Sequence, residues 1–372
     1  MRAFVLAAVM ALAGGPALAD GVWLKGDLHV HSRHSKDSSN NPIGKVVAFA
    51  EAVGMDYLLV SDHDNHVGGD VARHTWADPE YRSDRILLLY GAEWTTHRGH
   101  GTAIAARPYD HRRLYDVRDQ RDVKIGAVKR RLGVHLSANH PGGSDNFGFS
   151  YDLADSVEVW NSAVWPRNAN ALMIWDDMLK SGRRLTGRGG SDSHHGYPDT
   201  PAQAVALSRQ APANNVGTPT TWVFAAARTR EAVVDALTRG RASISANPHA
   251  PRLEFQADLD QDGRMDLAMG DNARATGRPI RFRVQLAGKT APGAAYTVSV
   301  IKDGAKFGSF EARGETPVAE FTDTPTAQGR TYYRVQVEGP STPYPEVPGS
   351  VALSGNMVGL SNPIYFNFDP RF

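Results

Sequence analysis

The chain has 372 residues, a formal net charge of +1 and no cysteine. The charge is balanced and forms no long run of one sign, which argues against binding to nucleic acid or to a membrane surface. The lack of cysteine excludes disulfides and thiolate metal ligands, and the length is sufficient for two domains.

The chain opens with a basic residue and an apolar run. Arg2 is followed by the apolar residues 4–12 and then by Ala17-Leu18-Ala19, a small-x-small sequence. This pattern is typical of a secretory signal peptide that is cleaved after Ala19. The run is too short to cross a bilayer, which takes about 20 apolar residues. We therefore expect residues 1–19 to be a signal peptide and the mature protein to be periplasmic or secreted, with no membrane span.

From residue 20 to residue 250, apolar runs rich in β-branched residues alternate with helical patterns. Strands are predicted at 25–30, 56–60, 86–92, 102–106, 133–138, 156–160, 184–186 and 221–226. Three helices, each followed by a glycine, are predicted at 42–53, 167–180 and 229–238. The alternation predicts an α/β domain with parallel strands. Because polar residues follow so many different strands, a closed or nearly closed barrel is favoured over an open sheet.

After residue 250 the pattern changes. Residues 251–276 are predicted to be a linker that contains a polar loop, and residues 277–372 a small all-β sandwich. The strands of this sandwich are predicted at 280–286, 296–301, 318–321, 332–337 and 363–368. Turn signals such as Asp303-Gly304 and Gln328-Gly329 separate them.

The polar loop within the predicted linker could bind calcium. It has oxygen ligands at positions one, three, five and nine of a calcium-loop pattern, namely Asp258, Asp260, Asp262 and Asp266, with Gly263 at position six. Position twelve is Met269, where an EF-hand needs a glutamate, and no helix precedes the loop. These two features argue against an EF-hand. A structural calcium, as in extracellular β-rich repeats, and a solvated acidic turn both stay open.

Five polar clusters each follow a predicted strand of the first domain. They are His29-Val30-His31 with Asp37, Ser61-Asp62-His63-Asp64, Gly91-Ala92-Glu93-Trp94 with His97 and His100, Asn139-His140-Pro141, and Gly189-Gly190-Ser191-Asp192-Ser193-His194. His29 and His31 are two apart in a strand and so face the same side. A single histidine or aspartate after a strand is more often solvated than bound to a metal ion. Imidazoles and carboxylates in this number predict two or three divalent ions of manganese, zinc or iron, bridged by a carboxylate.

These segments, in this order, resemble the motifs of the polymerase-and-histidinol-phosphatase (PHP) metallohydrolase family. The resemblance covers residues 23–246 and implies a distorted (β/α)7 TIM-like barrel with a two- or three-metal site. Within it, residues 91–96 with Gly99-His100, and residues 220–223 leading to 236–245, resemble the CehA/McbA branch, named for a carbaryl hydrolase.

The resemblance implies a role for each ligand. One ion would be held by His29, His31, Glu93 and Asp192, and Glu93 would bridge to a second ion held by His100 and His140. A third site would use Asp37, His63 and His194, with Asp37 standing where many family members have histidine. His97 is an alternative to His100, and Asp62 is expected to orient His63 or a water rather than to bind metal.

The expected function is that of an exported multinuclear metal-dependent hydrolase. A hydroxide that bridges two cations would attack the substrate, and Gly-x-Ser-x-Gly is absent. The leading expectation is a phosphoesterase with a small-molecule substrate. A carbamate, ester or amide hydrolase is the first alternative. A metal-bearing binding module without catalysis is the second alternative. Arg33, His34 and Arg98 are candidates for stabilising an anionic substrate, and the predicted catalytic residues are Glu93, Asp192, Arg188 and His195.

Overall fold

The computed structural model describes residues 20–38, 41–142, 147–194, 215–340, 342, 344 and 356–369. The predicted signal peptide, residues 1–19, and the predicted catalytic residue His195 lie outside these ranges. None of the helices among the described residues has the length and hydropathy needed to cross a membrane.

The first sheet is mixed. Strand β1 (Val22–Val30) pairs in parallel with β2 (Tyr57–Val60), and β2 pairs in parallel with β3 (Leu87–Leu88). On its other side β1 pairs antiparallel with β9 (Thr220–Ala225), which pairs antiparallel with β10 (Ala242–Ser245). Strand β1 is therefore a central strand, and its last five residues are buried.

The second sheet has five strands. They are β4 (Tyr90–Thr96), β5 (Gly99–Ala105), β6 (His135–Ala138), β7 (Ser156–Asn161) and β8 (Thr186–Gly190). Strands β4, β5 and β6 pair antiparallel, and β6, β7 and β8 pair in parallel. Isolated bridges from Val30 to Ser193 and from His63 to Glu93 join this sheet to the first. The two sheets thus meet where the predicted polar clusters lie.

Five α-helices lie among the described residues. They are α1 (Ile43–Ala52), α2 (Arg112–Asp116), α3 (Asp122–Leu132), α4 (Ala169–Lys180) and α5 (Arg230–Thr238). Helix α5 begins after Thr229, whose side chain accepts a hydrogen bond from the Ala232 amide and so caps the helix. Helix α3 ends at Gly133, where a φ of 65° favours glycine.

The C-terminal strands form two sheets around a common core. One is antiparallel and contains β11 (Arg252–Asp258), β12 (Leu267–Ala268), β14 (Ile280–Ala287) and β17 (Val318–Asp323). The other strands are β13 (Asn272–Ala273), β15 (Tyr296–Lys302), β16 (Ala305–Ala312), β18 (Thr331–Glu338), β19 (Met357–Ser361) and β20 (Ile364–Phe366). They continue the first sheet, since β19 pairs with β10. Phe255, Phe282 and Phe321 pack in this core against Val335 and Val337.

The predicted fold class, an α/β (β/α)7 barrel followed by a sandwich, is wrong. Strands account for 36% of the structure and helices for 20%, whereas a barrel of that kind needs a helix after each parallel strand. Strand β1 has an antiparallel neighbour in β9, and β4 and β5 form a hairpin with no helix between them. Strands overlap each of the predicted runs, although the run at 184–186 meets β8 only at Thr186 and the run at 86–92 covers parts of β3 and β4. Short apolar runs do not specify the direction in which neighbours pair.

The predicted linker over residues 251–276 does not match the structure either. Strand β11 lies inside it and pairs along its length with β14, with Leu253, Phe255 and Ala257 buried. The sheet that contains β1 and β10 also contains β18 and β19. Residues 20–250 and 277–372 are therefore joined through one sheet of eleven strands.

Candidate metal centre

The predicted ligands are brought together by the junction of the two sheets. The Asp192 amide donates to the His29 carbonyl at 2.8 Å, and the His31 amide donates to the Ser193 carbonyl at 2.8 Å. These bonds join the end of β1 to the segment after β8. Glu93 comes from β4, where its amide donates to the Ser61 carbonyl at 3.0 Å. Each strand thus delivers its ligands to one place.

Four donor atoms define the most buried part of the cluster, here called site A (His29, His31, Glu93 and Asp192). His29 Nε2 lies 3.3 Å from Glu93 Oε2 and 3.4 Å from Asp192 Oδ1. His31 Nε2 lies 3.3 Å and 3.1 Å from the same two oxygens. Donor atoms that surround a divalent ion at about 2.1 Å are themselves about 3 Å apart. The spacing therefore fits a metal ion.

The burial of the donor atoms also indicates that site A could hold a metal ion. His29 Nε2, His31 Nε2 and Glu93 Oε2 are buried and have no hydrogen-bond partner among the described residues. A buried polar atom without a partner costs free energy, so three of them facing one another need an explanation. A cation between them satisfies all three. The His, Glu and Asp groups of this chain could therefore hold metal ions.

Glu93 also faces a second group of donors, site B (Glu93, His100 and His140). Its Oε1 atom lies 3.1 Å from His100 Nδ1 and 3.2 Å from His140 Nε2. Asn139 Nδ2 donates to the same oxygen at 2.9 Å. Glu93 Oε2 faces the histidines of site A and also lies 3.0 Å from His63 Nδ1, and Oε1 faces the histidines of site B. A carboxylate placed in this way could bridge two ions.

A third group, site C (Asp37, His63 and His194), lies on the more open side. Asp37 Oδ2 is 3.3 Å from His63 Nε2 and 3.2 Å from His194 Nε2. The His31 ring stacks against both histidines, with ring centroids 4.5 Å and 4.3 Å away. The Asp37 side chain is 46% exposed, against 1% for Glu93. Solvent therefore reaches the centre from the side of site C.

Comparisons with known proteins do not identify the ligand or the function of this candidate metal centre. No protein-family model matches the chain, and no curated protein matches it. Among solved structures, the chain is similar to the CARDB domain of a protein from Pyrococcus furiosus, solved in complex with di-metal ions. The identity is 18%, the match covers 32% of this chain and 91% of that chain, and the TM-score is 0.19. A similarity this weak carries no argument about function.

The imidazoles are oriented by hydrogen bonds to their Nδ1 atoms. His29 Nδ1 lies 2.9 Å from Glu158 Oε1, and His31 Nδ1 lies 3.1 Å from Ser35 Oγ. Thr95 Oγ1 lies 2.6 Å from His63 Nδ1. Partners of this kind leave Nε2 free to face a metal and hold the ring in place.

The Asp62 carboxylate accepts several hydrogen bonds from nearby residues. It accepts from the Ser32 amide at 2.6 Å, from Ser35 Oγ at 3.1 Å and from Thr75 Oγ1 at 2.7 Å. It does not contact the His63 ring; instead Ser35 Oγ accepts from the His63 amide at 3.0 Å. Asp62 therefore supports the loop between the ligands through Ser35.

The electrostatics of the cluster keep the carboxylates ionised. Burial alone would raise the pKa of Glu93, but the nearby His29 and His63 outweigh it and hold that pKa well below its usual range. The pKa of Asp192 is likewise opposed by burial and held well below its usual value by His29 and His31. Ionised carboxylates are the form that binds metal, so the acidic groups are ready ligands at neutral pH.

Two ligands lie on left-handed backbone. His140 has a φ of 26° and Asp192 a φ of 53°, values that L-residues rarely adopt. Such residues concentrate at functional sites, where the surrounding structure holds them in place.

Arg188 does not fit its predicted catalytic role. Its side chain is 0% exposed, and it donates to Glu158 Oε1 at 2.8 Å, to Asn139 Oδ1 at 2.6 Å and to Ser137 Oγ at 2.7 Å. All three of its nitrogens are engaged inside the protein, so it cannot contact a substrate. It supports residues around the metal ligands instead.

The other flanking residues are held by ion pairs away from the ligands. Arg33 and His34 both contact Asp78 Oδ2, at 2.7 Å and 2.8 Å. Arg98 Nη2 lies 2.8 Å from Asp122 Oδ1. His97 is 72% exposed and lies 3.2 Å from Asp119, so of the two alternatives His97 and His100, it is His100 that lies near Glu93.

Glu158 is the residue that sequence reasoning missed. It lies within β7, where its neighbours Val157 and Val159 are buried, and it is itself 0% exposed. A glutamate inside an otherwise apolar strand was the available signal, because a buried carboxylate needs a partner. The sequence alone could not identify that partner.

The acidic loop holds its shape through its own contacts. The carboxylates of Asp258, Asp260 and Asp262 lie close enough to hold an ion, and Asp266 is not part of that group. Asp258 Oδ2 accepts from Arg281 Nη2 at 2.7 Å and from the Gly263 amide at 3.0 Å. Asp266 Oδ2 accepts from the Leu259 amide at 2.8 Å. Arg281 already balances the most buried carboxylate, and the structural calcium stays a prediction.

Proposed function

We propose that this chain is a multinuclear metal-dependent phosphoesterase that acts on a small-molecule substrate. The observation that carries the proposal is the position of Glu93, whose two carboxylate oxygens face two different sets of histidines. A carboxylate so placed can hold two cations side by side. The resemblance of the ordered motifs to the PHP family supports the same function, because the residues in those motifs are the ones that lie together.

The chemistry of the donor set narrows the choice of metal. Imidazole and carboxylate donors without thiolate suit manganese, zinc or iron. When bound, divalent cations of this kind lower the pKa of water towards neutrality and neutralise negative charge on the attacked group. Sites A, B and C would together hold two or three such ions.

The chain's own residues would perform three tasks. The buried pair His29 and His31 closes one side of the centre and keeps water out of it. Asp37, 46% exposed, and His194, 26% exposed, lie on the side from which a substrate can approach. Asn161 Nδ2 lies 3.4 Å from Asp192 Oδ2 and so helps to orient that carboxylate.

A serine nucleophile is not part of the proposal. Ser191, next to Asp192, is 0% exposed and its hydroxyl donates to the His29 carbonyl at 3.2 Å. It joins the two sheets and does not face solvent. The nucleophile of the proposed hydrolysis is therefore water.

Hydrolysis of a carbamate, ester or amide is the second candidate. It is favoured by the resemblance of residues 91–100 and 220–245 to the carbaryl-hydrolase branch. Thr95 belongs to the first of these segments and contacts His63 Nδ1, so the resemblance extends to a residue beside site C. We also propose export to the periplasm or medium, on the basis of the apolar run at residues 4–12.

One experiment separates these candidates. The mature protein is purified, its metals are measured, and bis-p-nitrophenyl phosphate, p-nitrophenyl phosphate and 1-naphthyl methylcarbamate are assayed with manganese, zinc and iron. Turnover of either phosphoester supports the first proposal, and turnover of the carbamate alone contradicts it. Bound metal with no turnover of any substrate would instead favour a binding module. Protein treated with a chelator serves as the control in each assay.

A further inference from the structure

Glu158 occupies a central position behind the metal ligands. Its Oε1 atom accepts from Arg188 Nη1 at 2.8 Å and lies 2.9 Å from His29 Nδ1. Its Oε2 atom accepts from the His140 amide at 2.9 Å and from Asn161 Nδ2 at 3.2 Å. One buried carboxylate therefore contacts a ligand of site A, a ligand of site B and the asparagine beside Asp192.

Arg188 extends these contacts to the bridging ligand. Its Nη2 atom donates to Asn139 Oδ1 at 2.6 Å, and Asn139 Nδ2 donates to Glu93 Oε1 at 2.9 Å. Arg188 and Glu158 are both 0% exposed, so solvent does not weaken their ion pair. The pair fixes groups that contact His29, His140 and Glu93.

Stability alone does not account for this arrangement. Removing two charges from water is expensive, and a buried ion pair is often no more stabilising than apolar side chains of similar volume. The backbone also makes room for it: a Cβ atom at Gly190 would lie 2.2 Å from Glu158 Oε1 and 2.6 Å from His29 Cβ. Glycine at this position allows β8 to approach the Glu158–His29 contact closely.

The contact between Glu158 and His29 determines which nitrogen of the His29 ring donates to the carboxylate. A carboxylate can only accept a hydrogen bond, so Nδ1 of His29 carries a proton and donates to Glu158, and Nε2 is the ring atom that faces Glu93 and Asp192. The contact with the His140 amide holds the backbone at a φ of 26°, which places that ring against Glu93. Both oxygens of Glu158 are needed for these two tasks.

We propose that Glu158, held by Arg188, is a positioning residue that prepares His29 and His140 for metal and thereby sets the affinity of the centre for its ions. This inference rests on the metal centre of the proposed function and concerns binding rather than turnover. It assigns a role to two charged residues that contact ligands without being ligands.

The test is the zinc affinity of the mature protein carrying E158Q, measured by competition with a chromophoric chelator. An amide cannot accept from both His29 and the His140 amide, because one of its ends donates. We expect the affinity to fall about 10- to 100-fold, the usual effect of losing such a supporting group. An affinity within twofold of the unsubstituted protein would overturn the proposal.

The matched control is D176N. Asp176 accepts from Arg334 Nε at 2.8 Å and from the Tyr332 hydroxyl at 2.9 Å, and Arg334 is 1% exposed. Both substitutions thus leave a buried arginine without its carboxylate, but Asp176 contacts no predicted ligand. We expect D176N to lower the melting temperature and to leave the zinc affinity unchanged. An equal loss of affinity in D176N would show that general destabilisation is the cause and would overturn the proposal.

A double variant covers the case in which E158Q does not fold. E158Q/R188M leaves no unpaired buried charge, so stability should return towards that of the unsubstituted protein. We expect its zinc affinity to stay reduced, and recovery of affinity together with stability would overturn the proposal. The proposed function fails separately: it fails if the unsubstituted protein binds zinc, manganese or iron and hydrolyses neither phosphoester.

Discussion

Glu93 Oε2 lies 3.3 Å from His29 Nε2, although Glu93 belongs to the second sheet and His29 to the first. Neither atom has a hydrogen-bond partner among the described residues, and both are buried. The two sheets therefore meet at a pair of donors that need a third group between them. A metal ion bound between these two atoms would therefore also connect the two sheets.

Replacing Glu93 by alanine should remove metal and activity together. The substitution deletes a ligand of site A and a ligand of site B at once, because Glu93 faces both. We expect the metal content, measured by plasma mass spectrometry after dialysis, to fall by at least one ion per chain, with no remaining hydrolysis. Retention of both metal and activity would contradict the bridging role. D64N is a useful control, since Asp64 is buried nearby but contacts His111 and Thr95 rather than a ligand.

Removing metal should lower the melting temperature. An ion that binds only the folded chain adds about 4 kcal/mol to the free energy of unfolding when its concentration is 1,000 times its dissociation constant. We expect a chelator to lower the melting temperature measured by calorimetry, and added zinc to restore it. The E93A variant should respond far less to the chelator. An equal response in E93A would mean that the stabilising ion binds elsewhere, for example at the acidic loop.

Asp37 should be needed for site C alone. It is 46% exposed and contacts His63 and His194, whereas the ligands of sites A and B do not depend on it. We expect D37A to lose one ion per chain under conditions that saturate the third site, with a change in unfolding free energy of about 0.5 kcal/mol or less, as for other exposed positions.

The control for D37A is D119A. Asp119 is also an exposed aspartate, 53%, that lies 3.2 Å from a histidine, His97, but away from the centre. D119A should bind the full number of ions. Loss of all ions in D37A would show that the three sites do not bind independently.

Much of the local structure could be predicted from the sequence, but the way the strands pair could not. The apolar run at 280–286 predicts β14 because its side chains alternate, and the structure has β14 at Ile280–Ala287. The predicted strands at 86–92 and 102–106 are nine residues apart, whereas β4 and β5 extend until Thr96 pairs with Gly99 in a tight hairpin. The two-residue connection is too short for a crossover helix, but it becomes visible only when the strand ends are known.

In the candidate metal centre, too, some residues could be predicted from the sequence and others could not. Ligands such as His29, His31 and Asp192 could be proposed because imidazoles and carboxylates recur directly after strands. The supporting roles of Glu158 and Arg188 could not be proposed, because they depend on contacts between β7, β8 and β1 that the spacing along the chain does not encode. Supporting residues of this kind become visible only when the strands are in place.

The last prediction concerns His135, which lies in β6 away from the proposed ligands. Its Nδ1 lies 2.9 Å from Thr238 Oγ1 and its Nε2 lies 2.7 Å from Ser156 Oγ, and burial lowers its pKa to about 4. A histidine whose folded pKa lies below its unfolded value contributes stability that is complete above about pH 6.5 and is lost as the pH falls towards 4. A shift of this size corresponds to about 3 kcal/mol.

The measurement is the free energy of unfolding of chelator-treated H135N and of the unsubstituted protein between pH 4 and pH 7. Use of metal-free protein keeps competition between protons and metal out of the comparison. We expect H135N to be less stable at pH 7, because it loses the contacts of His135 with Thr238 and Ser156. The difference between the two proteins should shrink as the pH falls, since only the unsubstituted chain must protonate a buried imidazole. A pH-independent difference for H135N would show that His135 is not buried in its neutral form.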